Sequence, residues 1–546
     1  MSYRAYPPSS ELLIGYDPHR DLARDHLARL VDRVVEEADL PRTVRFGKGQ
    51  PAYDPRLLAK VLVYGYSTGV RSSRQLERLC SESLVYLFLT RGDAPSYRTL
   101  CNFRTRCEDL INRVYLQLFA FAAEAGMKRL GRLVVDSSKF KANAAKETVL
   151  SESQFEAAIA EFKQILKDAE EADKREDLDP PGQTGTGVDL DTEQMRDILR
   201  RVKKLARSQA EELKAAKADQ DSGNPPSSPP PSSKASSGSS PSNGSDENTE
   251  AVTKPDAAGK AASKRIGARM RRVLKRAIDV LEQAKENGDR QVSLTDPDSR
   301  FMQEGRDKRL HLCYSFEAAV DKESGLLVVG QSSQSSVDNA RLTPIIEAAR
   351  KNEPLGVASV DADSGYFAGD QIAELALSGI DICVPDTNTA GDMRKRYEIG
   401  TIAGDNGRFT YDSDADQYTC SEGNILKRDG RTKLGAQMLT VYIAIRSCAE
   451  CPLKAKCFKS AKGKYRHITR GDHAELLKGL RDRFKDRDHR RRYNHRGHHI
   501  ETVFAFLRTV LGYRFWLVRT KERVAAEATL FKTAYQLRKI HAQLAN

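Results

Sequence analysis

Residues 219–262 constrain this chain more than any other stretch. They are rich in Ser, Pro, Gly and Asn and include Pro225-Pro226-Ser227-Ser228-Pro229-Pro230-Pro231. Such text cannot bury enough apolar surface to offset the entropy of ordering its backbone, so it is predicted to be disordered. Charged helical text flanks it. Thr148–Lys217 reads as two long helices parted near Asp179-Pro180-Pro181-Gly182, and Ala262–Glu286 as a basic helix. Residues 146–290 are therefore read as an insertion, a helical hairpin carrying a disordered loop. Any core must be assembled from the chain on either side of it.

On the N-terminal side, residues 1–130 read as all-helical. Asp54-Pro55 supplies a cap and a proline for the first helical position, and Leu57, Leu58, Val61 and Leu62 follow at helical spacing. Ser72-Ser73 can cap a second helix, and the break Gly92-Asp93-Ala94-Pro95 precedes a third at Ser96–Arg104. Short helices, tight turns and arginine on the last suggest a helix-turn-helix-like DNA-binding module, with Arg98 and Arg104 on the recognition helix. An ordinary helical bundle is the alternative.

The rest alternates. Residues 131–137 read as an apolar strand ending in Asp136. After the insertion come a hairpin, Leu312–Val320 and Leu326–Ser333, a helix at Asn339–Lys351, a strand at 357–363, a helix at Gly369–Ser378 and a strand at Ile380–Val384. That order gives a mixed α/β sheet over 131–145 and 291–520, whose first strand precedes the insertion. Within it, 386–470 is a cysteine-containing insertion, and 521–546 is a C-terminal helix.

Composition narrows the function. With 89 Lys+Arg against 76 Asp+Glu the net charge is +13, which favours an anionic polymer as partner. Between Arg481 and Ile500 there are eight Lys/Arg, three Asp and four of the ten histidines. Arg490, Arg491 and Arg492 in this run are candidates to hold DNA phosphates, with a plain solvated face as the alternative. No apolar run approaches the ~18–20 residues of a membrane span, and the N-terminus lacks a secretory signal. Nine cysteines are too few for a disulfide scaffold, so a cytoplasmic, nucleoid-associated protein is expected.

Three carboxylates stand where a site could form: Asp136 on the first strand, Asp361 or Asp363 around the turn at Ser364-Gly365-Tyr366, and Glu501 in a helix with Ile500, Val503, Phe504 and Leu507. Acids on adjacent elements can hold two hard divalent cations, the arrangement for in-line phosphoryl displacement.

These residues resemble a family. Tyr493-Asn494-His495-Arg496-Gly497-His498-His499-Ile500-Glu501, with Arg508 beyond, is similar to the Tyr-x2-Arg-x4-Glu-x6-Lys/Arg motif of bacterial insertion-sequence DDE transposases. Val134-Val135-Asp136-Ser137-Ser138 resembles their first Asp strand, and Asp363-Ser364-Gly365-Tyr366 their second Asp. Asp296–Arg300, Ala319-Val320-Asp321 and the helical stretch 53–107 fit as well. One departure is Glu317, in Tyr314-Ser315-Phe316-Glu317, where Gln is usual.

The resemblance implies an RNase H-like catalytic core with the triad Asp136, Asp363 and Glu501 holding Mg²⁺ or Mn²⁺, and it selects Asp363 over Asp361. It implies that Tyr493, Arg496 and Arg508 touch DNA phosphate or place Glu501. The expected partner is double-stranded DNA, both element ends and target, bound by a homodimer or larger assembly. A DNA-binding relative without activity and a nuclease without strand transfer are the rival readings. Finally, Cys420, Cys448, Cys451 and Cys457 could bind a structural zinc, with His467 as an alternative fourth ligand. His495 and His499, at i,i+4, are a weaker zinc pair.

Overall fold

The computed structural model describes residues 17–41, 52–176, 198–200, 268–304, 309–352, 356–395, 409–434, 437–458 and 463–545. The loop 219–262 and all but three residues of the insertion's second charged helix lie outside them. The chain divides into two compact units, Ala144–Pro297 and Met1–Asn143 with Asp298–Asn546.

The smaller unit is slightly wider than the insertion read from sequence. The extra residues include one strand of a clasp: Gln291–Ser293 pairs antiparallel with Val149–Ser151 at the base of helices Glu152–Glu176 and Ala268–Glu286. Phe155, Ala158 and Phe162 meet Leu274, Ala277, Ile278 and Leu281 along an apolar seam. Spacings of three and four residues put each set on one helical face.

In the larger unit the N-terminal helices are α1 (Leu27–Glu37), α2 (Pro55–Ser67), α3 (Ser73–Glu82), α4 (Leu84–Thr90), α5 (Tyr97–Arg104) and α6 (Glu108–Glu124). The caps read from sequence form: Asp54 accepts from Arg56 N, Ser72 from Gln75 N and Ser96 from Thr99 N. Buried Lys60 joins α2 to α1 by donating to Asp32 and Glu36, each at 2.5 Å.

The main sheet has six strands: β1 (Arg132–Lys141), β2 (Arg300–Glu304), β3 (Arg309–Asp321), β4 (Leu327–Ser333), β5 (Ser359–Ala362) and β6 (Asp381–Cys383). The order is β2-β3-β1-β5-β6. Long β3 shares its outer edge between β2 and β4. β1 runs antiparallel to β3 and parallel to β5, and β5 runs parallel to β6. Leu133 and Val135 on one face of β1 pack with α7 (Leu342–Asn352) and α8 (Gly369–Leu377). On the other face Phe140 meets Phe316, Trp516 and Phe531. Gly131, at φ +65°, opens β1 where its backbone approaches Gly356; a Cβ there would lie 2.2 Å from the Gly356 carbonyl oxygen, so only glycine fits.

The C-terminal helix, α10 (Lys521–Leu544), is buried on nearly every side. Its Glu527, fully buried, accepts from Tyr66 Oη of α2 at 2.8 Å and from Leu517 N at 2.8 Å, with Arg71 3.5 Å away. Its Gln536 Oε1 accepts from Leu327 N of β4 at 2.9 Å. α10 thereby joins the N-terminal helices to the sheet, and the two form one compact unit rather than parting at residue 130.

The segment 386–470, read from sequence only as a cysteine-bearing insertion, contains a five-stranded antiparallel sheet. Its strands are β7 (Phe409–Asp412), β8 (Gln417–Cys420), β9 (Ile425–Leu434), β10 (Gln437–Ala444) and β11 (His467–Gly471), adjacent in chain order. Its core is small, centred on Leu426, Tyr442 and Ala444.

Candidate active site

Asp136 does not end its strand; it is the fifth of ten residues. What ends is the pairing on one side. β1 matches β5 only as far as Val135 opposite Ala362, while on the other side it continues along β3 to Lys141. β5 ends there, and Asp136 and Asp363 are the residues that follow the last matched pair, near enough for each carboxylate to feel the other.

Asp136 accepts from its neighbour Ser137 N at 2.7 Å. Burial pushes its carboxyl up to about 6, and the nearby carboxylates of Asp338 and Asp363 add to the rise. Asp363 caps the turn Ser364–Tyr366 and accepts from Ser364 N at 2.8 Å. It also accepts from Tyr493 Oη at 2.9 Å and from Arg496 Nη2 at 3.0 Å, yet its side chain stays 50% exposed. Both donors lie on α9 (Arg487–Ala505), and the Arg496 guanidinium stacks 4.0 Å from the Tyr493 ring centroid. Asp361 is different. It is fully buried and bonded by Arg492 at 2.7 and 2.9 Å and by Lys322, whereas Asp363 keeps an exposed carboxylate.

Glu501 is exposed on α9. About two turns before it Tyr493 touches Asp363; about two turns after it Arg508 Nη2 donates to Lys139 O of β1 at 2.6 Å. The helix thus crosses the strands on both sides of Glu501. Among the described residues no three His, Cys, Asp or Glu side chains stand close enough to hold a metal ion. The structure brings Asp136 and Asp363 together and carries Glu501 on the helix that spans them. Their donor set suits a hard divalent cation: all oxygen, with a half-buried acid whose charge is opposed by neighbouring carboxylates.

The basic run divides by role. Arg492 joins Asp361 and Asp381, and Arg490 donates to the carbonyls of Phe484 and Lys485 at 3.0 and 2.9 Å. Arg491 is exposed. It lines a cavity of about 270 Å³ with Lys322, Arg492, His495, Arg496 and His499, where Asp488 is the sole acid. Burial and nearby Lys322 lower the proton affinity of His499. With so many cations beside it, the pair His495 and His499 suits an anion better than zinc.

Arg98 is exposed on α5, bonded to Tyr97 Oη at 3.2 Å. Arg104 is 4% exposed and donates to Arg71 O at 2.7 Å and Ser73 Oγ at 2.6 Å. It ties helices together and cannot reach a base edge as placed, which corrects the expectation for that residue. Arg508, half-buried over Phe140, likewise holds β1. Cys420, Cys448, Cys451 and Cys457 all line one cavity of about 30 Å³, and His467 does not.

Three side chains beside the two acids had no sequence signal. Ser137 and Lys139 lie in strand text, and Asp338 lies in the segment before α7; nothing in their spacing marks them. Glu317, the departure noted above, is buried and held by Arg341 at 2.6 and 3.0 Å.

Residues 17–106 match the family model described as Transposase domain (DUF772), and residues 419–541 match Transposase DDE domain. The second match contains Tyr493, Arg496, Glu501 and Arg508; Asp136 and Asp363 lie outside both. No curated protein and no solved structure matches the chain. No helix of the described residues is long and apolar enough to cross a membrane.

Proposed function

We propose that this chain, which belongs to the insertion-sequence DDE transposases, binds double-stranded DNA at the terminal repeats of its element and catalyses strand cleavage and transfer there. One observation carries the reading: Asp136 and Asp363 follow the last pair of the adjacent parallel strands β1 and β5, and α9, which carries Glu501, sets Tyr493 and Arg496 on the second acid. The strand order, with an antiparallel partner on one side of β1 and two parallel strands on the other, supports an RNase H-like core.

Asp136, Asp363 and Glu501 are the residues that would hold Mg²⁺ or Mn²⁺, which when bound polarise the phosphate and activate the attacking oxygen of water or a DNA 3′-OH. The remaining work falls to the chain's own groups. Tyr493 and Arg496 orient the Asp363 carboxylate. Arg491, with Lys322 and His495 around the basic cavity, holds DNA phosphate. Exposed Arg98 is placed to meet DNA from the N-terminal helices. We read the active form as a homodimer or larger assembly on DNA. Cys420, Cys448, Cys451 and Cys457 line one cavity but do not stand close enough together to hold a metal as placed, so a structural zinc there would have to draw them in; purified protein without near-stoichiometric zinc removes that part.

The test is catalytic. Asp136→Asn, Asp363→Asn and Glu501→Gln, made singly, are expected to keep end binding and to lose both cleavage and joining in Mg²⁺. A variant that still cleaves takes its residue out of the site. Wild-type protein that cleaves but never joins pre-cut ends is a nuclease instead.

A further inference from the structure

Beyond the last pair of β1 and β5, nothing in the sheet itself fixes the distance between Asp136 and Asp363, and two neighbouring carboxylates repel each other. A third carboxylate stands beside both segments. Asp338 Oδ1 accepts from Ser137 Oγ at 2.6 Å and from Lys139 Nζ at 3.2 Å. Lys139 also donates to Ser137 Oγ at 2.8 Å and Ser315 Oγ at 3.3 Å. On its other side Asp338 abuts the turn after Asp363: a Cβ at Gly365 would lie 3.6 Å from Asp338 Oδ2. The main chain is anchored behind by Arg341 N donating to Asp338 O at 3.1 Å, at the entry to α7. Asp338 therefore bonds the residue after Asp136 and stands beside the second residue after Asp363, with space between them for no more than a methyl group.

We propose that Asp338 is a positioning residue of the catalytic centre, a strut that sets the separation of Asp136 and Asp363 through Ser137 and Gly365. The inference rests on reading those two acids as the metal-holding pair. Lys139 lets this third carboxylate stand there, because its ammonium offsets the charge where bare repulsion would push the strands apart. A side chain that only opened α7 would need no bond to β1; Asp338 makes its two side-chain bonds to β1.

The test is Mn²⁺ binding to the full chain without DNA, followed by electron paramagnetic resonance, beside melting and end-DNA binding. Asp338→Ala is expected to weaken Mn²⁺ binding by about tenfold, the lower end of what loss of a ligand-orienting group costs. Ser137→Ala is expected to weaken it in the same direction, with end binding and melting unchanged in both. Asp338→Asn, which keeps an acceptor for Ser137 but no charge for Lys139, is expected to fall between, and it decides the matter if the alanine variant is unstable. Asp136→Ala is the control. If it loses Mn²⁺ and the Asp338 variants bind within twofold of wild type, the strut is wrong and the site stands. If Asp136→Ala itself binds Mn²⁺ normally, the site reading falls and the strut with it.

Discussion

Arg491 and Arg492 are adjacent in sequence and opposite in environment. One hundred degrees of helix rotation separates a guanidinium in solvent from one locked between Asp361 and Asp381. Burial works against the charge of Arg492, but the two acids hold its proton more firmly than usual. Arg492→Gln should cost about 1.5–3 kcal/mol, the range for hydrogen bonds to a charged group, with Lys322 still pairing Asp361. Arg491→Gln should leave melting unchanged and lower the log–log salt slope of DNA binding by about 0.9, one phosphate contact, equally on cognate and unrelated duplex. Thermal melting and a salt titration separate the two. A salt slope untouched by Arg491→Gln would make it a solvated surface residue.

Elements matter through what they cover. α10 buries Leu530, Phe531, Ala534, Tyr535 and Leu537, and its Lys532 lies 4.3 Å from the Tyr115 ring centroid, donating to Asn112 Oδ1 at 2.8 Å. Burial pushes that ammonium from an ordinary 10.5 down to about 8, only partly offset by Glu108. Below pH 8 the folded chain keeps a proton on Lys532 at a cost that the unfolded chain does not bear. As pH rises from about 8 toward 10.5 the folded state releases it first, and the penalty disappears. Lys532→Met should therefore raise stability at pH 7 by about 1–2 kcal/mol, allowing for partial exposure. The gain should shrink by pH 10; equal gains at both values would show that packing, and not charge, limits this position.

At the scale of the molecule, fully buried Glu527 is the point where the C-terminal helix grips the N-terminal helices and the segment that leads into it, bonded to Tyr66 and Leu517. The larger unit should melt in one transition reported alike by probes in α2 and in β1. Glu527→Ala should lower that transition by about 3–5 kcal/mol, because Arg71 and Tyr66 lose their buried partner. The smaller unit has its own seam, so cutting out 222–258 should change stability by only about a kcal/mol, as loop entropy grows slowly with length. An insoluble deletion would show that this tract makes contacts needed for folding.

Much of this is legible in the sequence. Local rules are short-ranged, so Asp54, Ser72 and Ser96 announced their helices, and the alternating runs announced β3, β4 and β6. The Tyr493–Glu501 motif announced its acid by resemblance. The β7–β11 sheet was not legible, because strands such as Ile425–Leu434 carry charge on both faces and have no period-two apolar signal. Nor was the choice between arginines. Residue type says that Arg104 and Arg492 are cationic, but only packing shows that one is buried against Arg71 and the other against Asp361. The sequence by itself determined which segments could be strand or helix and which tract could form no core. Tertiary structure alone decided which carboxylates stand side by side, because that depends on where the pairing of two strands distant in sequence stops: at Val135 and Ala362.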